Sequence, residues 1–365
     1  MNAPQVNYLN IALMLGSCGL AFLVPFELIL FSYAFLGPLH YLTEISWLHK
    51  RNYFTTGKND FILLIFLGAL IILSFYFKFL LSWFLTANDK GQIIVSAGLK
   101  NLVDTLDKLV PAFTFLAFGT GLILILVKRK ISKWVLFGIL IALTWLLKED
   151  KTWLVPFAVF LPTLIHVFLF TGIFILVGAL KSRSFSGLLS LLVFIGCAAS
   201  FFWLEPEVTG YSVNERLRYN FNMSFISLNF TVFEVFLPAQ VAELQTANQI
   251  LSFIYESKAG LVLTRFMAFA YTYHYLNWFS KTSVIQWHLL PKKQLIGVGI
   301  LWLASISLFF YDYKVGYVAI YLLSTLHVVL ELPLNFQAMK QIAEHTKFFL
   351  KPKGRDFAPL KRLKL

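Results

Sequence analysis

Charge is what this 365-residue chain has least of: Asp, Glu, Lys and Arg make up 13% of it, against 58% hydrophobic and 17% aromatic residues. No soluble core could bury that much apolar surface, so the scarcity excludes a soluble globular domain. Cysteine is nearly absent as well. Cys18 and Cys197 lie within long apolar stretches, form no disulfide framework and say nothing about compartment. The opening MNAPQVNYLN lacks the basic n-region of a secretory signal, and the apolar stretch after it is too long for a signal core, so it is expected to stay in the mature chain. Also missing are a P-loop, a G-x-G-x-x-G fingerprint, a G-x-S-x-G elbow, a C-x-x-C-H haem attachment and an H-E-x-x-H zinc motif. No repeat of 20–50 residues and no hydrophilic insert of domain size interrupts the chain, which reads as one membrane domain over 1–336 with a basic tail over 337–365.

What is there is apolar length. Several runs approach the roughly 20 residues of a bilayer crossing. The expected spans are 9–36, 60–84, 109–127, 132–147, 153–180, 184–203, 259–280, 294–311 and 314–336, which makes an all-α polytopic membrane protein of about nine transmembrane helices. Basic residues orient it. Lys50, Arg51, Lys58, Lys128, Arg129, Lys130, Lys133, Lys181, Arg183, Lys281, Lys292, Lys293 and the tail put about 20 on one side against about nine on the other, so that side is expected to be cytoplasmic. An odd number of spans then puts the N-terminus outside and the C-terminus in the cytoplasm. The net charge of +13 needs no nucleic-acid partner, because anionic lipid headgroups supply the counter-charge. A bacterial inner (plasma) membrane is the expected location.

Two outer segments are more than connectors. Residues 85–108 include NLVDTLDKLV, whose helical periodicity suits a helix lying along the outer interface. Residues 204–258 read partly as one or two amphipathic helices that could serve as lid, partner surface or cap. Within them, Asn222-Met-Ser and Asn229-Phe-Thr match the glycosylation sequon.

Ionisable residues are expensive in such a chain, and their placement is the best guide to function. His40, Glu44 and His49 follow the first span. His274 and His288 belong to the end of the seventh and the loop beyond it, and His327 and Glu331 to the inner half of the ninth. All fall on the cytoplasmic side of the midplane. His40 and Glu44 are spaced i, i+4, as are His327 and Glu331, so each pair shares one helix face and can chelate a metal from adjacent turns. His274 and Asn277 are spaced i, i+3. Imidazole plus carboxylate is the ligand mixture of non-haem iron and of catalytic zinc, so the expected ligands are His40, Glu44, His49, His274, His288, His327 and Glu331, with Glu44 and Glu331 as catalytic carboxylates. One or two iron ions are favoured over zinc. Any one of these histidines alone reads as a helix-packing or interfacial residue beside Trp47 or Trp287. It is the combination that points to a metal. Glu27, Lys78, His166, Asn277 and Arg265 are candidates for a polar pathway to that group, the charged members being equally suited to anchoring helices together. His345 belongs to the solvated tail.

The densest stretch is HYLNWFSKTSVIQWH, residues 274–288. Its His-Tyr opening and Trp-His close resemble segments of the Brp/Blh membrane carotenoid-cleaving oxygenases, over about 15 residues. The resemblance implies an all-helical fold and iron held by histidines, here His40, His274 and His288. Where that family has a Pro-His-Gly type of segment, this chain has Gly-Pro-Leu-His at 37–40, and its paired glutamates are foreign to an all-histidine site. Fatty-acid desaturases and hydroxylases are a second analogy for iron at the cytoplasmic membrane face, without their repeated histidine boxes.

The sequence therefore leads to a membrane metalloenzyme, a non-haem iron oxidoreductase acting on a lipid-soluble substrate that enters between the helices on the cytoplasmic side. Its partners would be membrane lipids, that substrate and an electron donor. Two alternatives stand beside it: a proton- or ion-coupled transporter, and a structural subunit of a larger membrane complex.

Overall fold

The computed structural model describes residues 2–83, 86–87, 93–94, 97–147, 155–204, 212–281, 286 and 289–350. These form an all-α polytopic membrane protein; apart from the short antiparallel pairing of Thr86–Ala87 with Ile93–Ile94, the described elements are helical. We number them α1 (Ala3–Leu23), α2 (Pro25–His49), α3 (Phe61–Trp83), α4 (Ala97–Leu126), α5 (Lys130–Leu147), α6 (Pro156–Phe170 continuing as Thr171–Ser182), α7 (Phe185–Trp203), α8 (Glu215–Phe236), α9 (Pro238–Ala242), α10 (Ala247–Glu256), α11 (Lys258–Ser280), α12 (Lys292–Tyr311) and α13 (Tyr313–Leu350). Large apolar side chains stay exposed along the outer helices, among them Ile131, Trp134, Val135, Ile139 and Leu146 on α5, as lipid contact requires.

The expected first span, 9–36, is in fact two antiparallel helices. An Asn2 capping box starts α1, with Gln5 N–H donating to Asn2 Oδ1 at 3.0 Å and Asn2 N–H to Gln5 Oε1 at 2.9 Å. The helix stops at Val24 (φ −139°, ψ 59°) because the residue before a proline is pushed out of the α region, and Pro25 opens α2 at the position where a missing N–H costs nothing. Contacts with a single neighbour, α11, fix the reversal. Going from Asn10 to Phe22, α1 passes from Ser280 to Arg265 on α11, whereas α2 passes from Ser32 against Thr272 to Thr43 against Trp278. Nine helices are long and apolar enough to cross a membrane among the described residues, the expected number with a different membership. The first span has become two, and α11, with Lys258 and Arg265, falls outside the apolar set while being the most enclosed helix of the bundle, 15 of its 23 residues buried.

Parity changes with it. The start of α1, where Asn7 Nδ2 donates to Ser186 Oγ at 3.0 Å, lies at the same end as the close of α6, the close of α11 and the turn after α2. That end also carries Lys50, Arg51, Lys181, Lys281 and Lys292 and the Asp60–Lys133 ion pair, and we call it the basic face. α13 runs towards it. Counting α11 as a crossing, the described residues begin and end on the same face of the bundle, where nine alternating spans would put the two ends on opposite faces.

At the opposite face, α8 and α10 cover the α1–α2 reversal as a cap: the Phe26 ring sits 4.8 Å from Phe221 and 5.0 Å from Tyr255, and Tyr33 5.5 Å from Phe225. The two sequon asparagines are used internally. Asn229 is fully buried, donating to Phe225 O, which leaves no room for a glycan there, and half-buried Asn222 accepts from Tyr255 O–H through Oδ1 at 2.7 Å. NLVDTLDKLV is the first part of the continuous helix α4 rather than a separate interfacial segment, and α13 carries on past 336 to Leu350.

One glycine sets how closely α10 meets α11. A Cβ on Gly260 would stand 2.1 Å from Ile254 O and 2.5 Å from Phe253 O, both backbone atoms. Gly260→Ala should therefore destabilise the protein by about 3 kcal/mol or more. A lowered thermal midpoint in detergent checks this, and an unchanged midpoint would contradict the close approach.

Candidate metal centre

Four helices that all run towards the basic face, α2, α6, α11 and α13, each deliver one histidine to the interior: His40, His166, His274 and His327. Two of these stretches depart from α geometry. Residues Ser32–Leu36 make a π turn just ahead of Pro38 and His40, and Pro156–Phe170, with Pro162 inside it, is wound as a π-helix carrying His166. Wider turns of this kind accommodate the lost proline N–H and concentrate at functional sites.

All four histidines are at least nine-tenths buried, and one ring nitrogen from each lies within 4.8 Å of those from the other three. His166 Nε2 and His327 Nε2 are 3.0 Å apart. Three of the rings have their second nitrogen backed from outside: Thr171 Oγ1 is 2.9 Å from His274 Nδ1, Leu323 O is 3.3 Å from His327 Nδ1, and Glu331 Oε2 is 3.1 Å from His166 Nδ1. Backing of the far nitrogen by hydroxyl, carbonyl and carboxylate is the arrangement that orients metal-bound imidazoles. Glu44 Oε2 lies 3.0 Å from His40 Nε2, and Glu44 and Glu331 line the same cavity beside the histidines.

The donor set fits a metal cation on a second ground. His274 Nε2 and His40 Nδ1 are buried with no hydrogen-bond partner among the described residues, and the close His40 Nε2–Glu44 Oε2 and His166 Nδ1–Glu331 Oε2 approaches lack hydrogen-bonding geometry. Each such atom costs about 1–3 kcal/mol unless something binds it. Imidazoles and two carboxylates converging in an apolar interior would ligate a cation and offset its charge.

The group separates two cavities. One, of about 280 Å³, extends towards the cap from His166 and His327; Tyr33, Tyr41, Tyr271, Tyr275, Tyr317 and Tyr321 contribute to its wall. Tyr41 stacks on His327 at 4.2 Å between ring centroids, and its hydroxyl is 2.7 Å from that of Tyr275. The other cavity, of about 480 Å³, runs from His40, Glu44, His274, Asn277 and Glu331 towards the basic face, where Arg51, Lys181 and Lys281 line it.

No family model, curated protein or solved structure matches this chain. The chemistry therefore rests on the residues themselves.

Of the expected ligands, the structure brings together His40, Glu44, His274, His327 and Glu331. His49 is apart from them, its Nδ1 3.2 Å from Tyr53 O–H, and His288 lies outside the described residues. His166, expected on a polar pathway, is a full member of the histidine group. The His327–Glu331 spacing does not produce a contacting pair, because Glu331 reaches His166 on α6 instead. Asn277 lines the basic-face cavity and lies 3.4 Å from Tyr273 O–H. Glu27, Lys78 and Arg265 line neither cavity: Glu27 is in the first turn of α2 beside the reversal, and the Arg265 guanidinium sits over the Phe22 ring at 5.4 Å. Beyond the titratable groups, the site uses Thr171 and Tyr41, for which nothing in the local pattern gave a signal.

Trp278 ties the centre to its scaffold, donating from Nε1 to the buried Thr43 Oγ1 at 3.0 Å and packing 5.5 Å from the His40 ring. Trp278→Phe should cost about 1–2 kcal/mol of stability and loosen His40, read as a lowered thermal midpoint together with weaker metal retention. Unchanged values for both would show that α2 and α11 hold His40 without it.

Proposed function

We propose that this protein is an integral-membrane non-haem iron enzyme that oxidises a lipid-soluble substrate, and that its basic face is the cytoplasmic one. The observation that carries the reading is the buried set of four converging histidines with two carboxylates beside it and a cavity on each side. His40, His166, His274 and His327 would hold the ion, with Glu44 or Glu331 completing the donor set. Iron so held supplies dioxygen activation and one-electron chemistry. The chain's own part is positional. Thr171, Glu331 and the Leu323 carbonyl fix which nitrogen each ring turns inward. Glu44 and Glu331, adjacent and enclosed, can share and pass a proton beside the reacting atoms. The surrounding aromatic shell excludes water, while electrons come from a partner or a diffusible donor.

The test is dioxygen uptake by iron-loaded protein in detergent, given a reductant and a total lipid extract. Lipid-dependent uptake lost in His274→Ala supports the reading. Absence of uptake with stoichiometric iron bound would overturn the oxidative part, and a zinc-loaded protein that hydrolyses lipid esters would replace it.

A second reading draws on the two cavities, one on each side of the histidine group, which also suits a proton or ion route between the faces. Proton flux into liposomes by metal-free protein, abolished by His166→Ala, would favour that route over the enzyme.

A further inference from the structure

The cavity on the basic face has two chemically distinct parts. Its outer end carries Arg51, just past the close of α2, Lys181 near the close of α6, and Lys281 immediately after α11. Its wall is apolar, built from Val6, Trp47, Phe174, Val177, Trp278 and Leu334, and its inner end is His40, Glu44, His274 and Glu331. Seven residues separate Lys281 from His274 and Arg51 from Glu44, about 10 Å along a helix axis. Its volume of about 480 Å³ lies within the range of small-molecule sites, roughly 300–1,000 Å³.

Arg51 is held in place by Trp47, to whose carbonyl its Nη1 donates at 3.5 Å. Its guanidinium carbon lies 4.2 Å over the Trp47 ring, and its Nε is buried with no hydrogen-bond partner among the described residues. The turn that follows is strained: Asn52, Tyr53 and Phe54 have φ of 49°, 52° and 57°, a left-handed run that costs non-glycine residues about 1–2 kcal/mol each. Stacking of Tyr53 on Phe61 at 4.8 Å and packing of Phe54 on Trp47 at 5.5 Å hold that turn. Strain of this sort persists where the surrounding structure over-determines it, and it clusters at ligand clamps. The acidic groups of the cavity, Glu44 and Glu331, sit at its inner end against His40 and His166, leaving the outer end cationic.

We propose that this cavity binds an anionic amphiphile, with a phosphate or carboxylate head at Arg51, Lys181 and Lys281 and its apolar chain lying along Trp47, Phe174 and Trp278 towards the histidine group. The proposal deepens the enzymatic reading by naming the substrate class, and rests on that reading only for what happens at the inner end. The reacting carbon would lie about 10 Å from the head, a separation set by the helices rather than by the chemistry. Arg51 supplies the planar fork for oxyanion recognition, and the two lysines supply point charges.

Binding of dodecyl phosphate, dodecanol and inorganic phosphate to the purified full chain in neutral detergent, measured by calorimetry, tests this. Saturable binding of dodecyl phosphate is expected, about tenfold or more tighter than dodecanol and weakened by a similar factor in Arg51→Gln with Lys281→Gln. Gly178 lines the cavity with open space beside it, so Gly178→Leu should fold normally and weaken binding by obstruction. His327 lies on the other cavity, and His327→Ala should keep dodecyl phosphate binding while losing metal, which separates failure of this proposal from failure of the metal centre. Equal affinity for dodecanol would overturn the charged-head site, leaving a merely apolar cavity. Inorganic phosphate binding as tightly as dodecyl phosphate would overturn the amphiphile in favour of a free-anion site.

Discussion

Replacing His327 with alanine is expected to lower metal affinity by about a hundredfold or more, since it removes an inner ligand and not merely the second-sphere group whose loss costs roughly 10–100-fold. The ring is central to the group. Its Nε2 lies 3.0 Å from His166 Nε2, its Nδ1 rests against Leu323 O, and Tyr41 stacks on its face. The substitution leaves a gap beside Tyr41, so some stability is lost for packing reasons alone. His327→Gln controls for that. It restores most of the volume and a polar atom but not an imidazole, so it should recover stability more than metal content. Elemental analysis of the two variants beside the unmodified chain decides it, and full metal occupancy in His327→Ala would remove that residue from the ligand set.

Stripping the metal with a chelator should lower stability by about 3–4 kcal/mol at ion concentrations 100- to 1,000-fold above Kd, the linkage expected when only the folded state binds. The physical cause is specific. Without a cation, His274 Nε2 and His40 Nδ1 lie buried with no hydrogen-bond partner among the described residues, and the Oε2 atoms of Glu44 and Glu331 approach His40 and His166 without hydrogen-bonding geometry. Thermal midpoints with and without chelator measure the difference, and re-addition of iron should restore it. His327→Ala should show little chelator effect. A chelator-insensitive midpoint in the unmodified protein would mean that the buried polar group is satisfied by other means.

How much of this was legible beforehand depends on which physical signal each feature carries. Apolar length marked the membrane helices, and α3, α5, α7 and α12 fall within a few residues of their expected spans. The α1–α2 reversal was hidden because a single Val-Pro step inside a continuous apolar run looks the same whether the chain kinks or turns back. That one step changed the parity of the topology. The grouping of the histidines did not depend on that step, since His40 lies towards the basic-face end of its helix whether or not α1 precedes it as a separate crossing. His274 and His327 were placed by the same logic. His166 was assigned to a pathway because it falls mid-span by residue count, yet α6 is wound as a π-helix over Pro156–Phe170, and its depth cannot be read at 1.5 Å per residue. The i, i+4 rule correctly put His327 and Glu331 on one face, but it cannot say which neighbouring helix a carboxylate will reach. His49 shares the sequence neighbourhood of His40 but sits beyond the enclosed part of α2, where Tyr53 takes up its ring nitrogen.

The central claim is that His40, His166, His274 and His327 hold one metal cation inside the membrane domain. The most direct measurement is elemental analysis combined with X-ray absorption spectroscopy on protein purified from iron-replete cells without chelator. The account predicts about one iron per chain with a first shell of imidazole nitrogen and carboxylate oxygen, and no sulfur neighbour near 2.3 Å. Folded protein that carries neither iron nor zinc, and takes up neither when they are supplied, would contradict it.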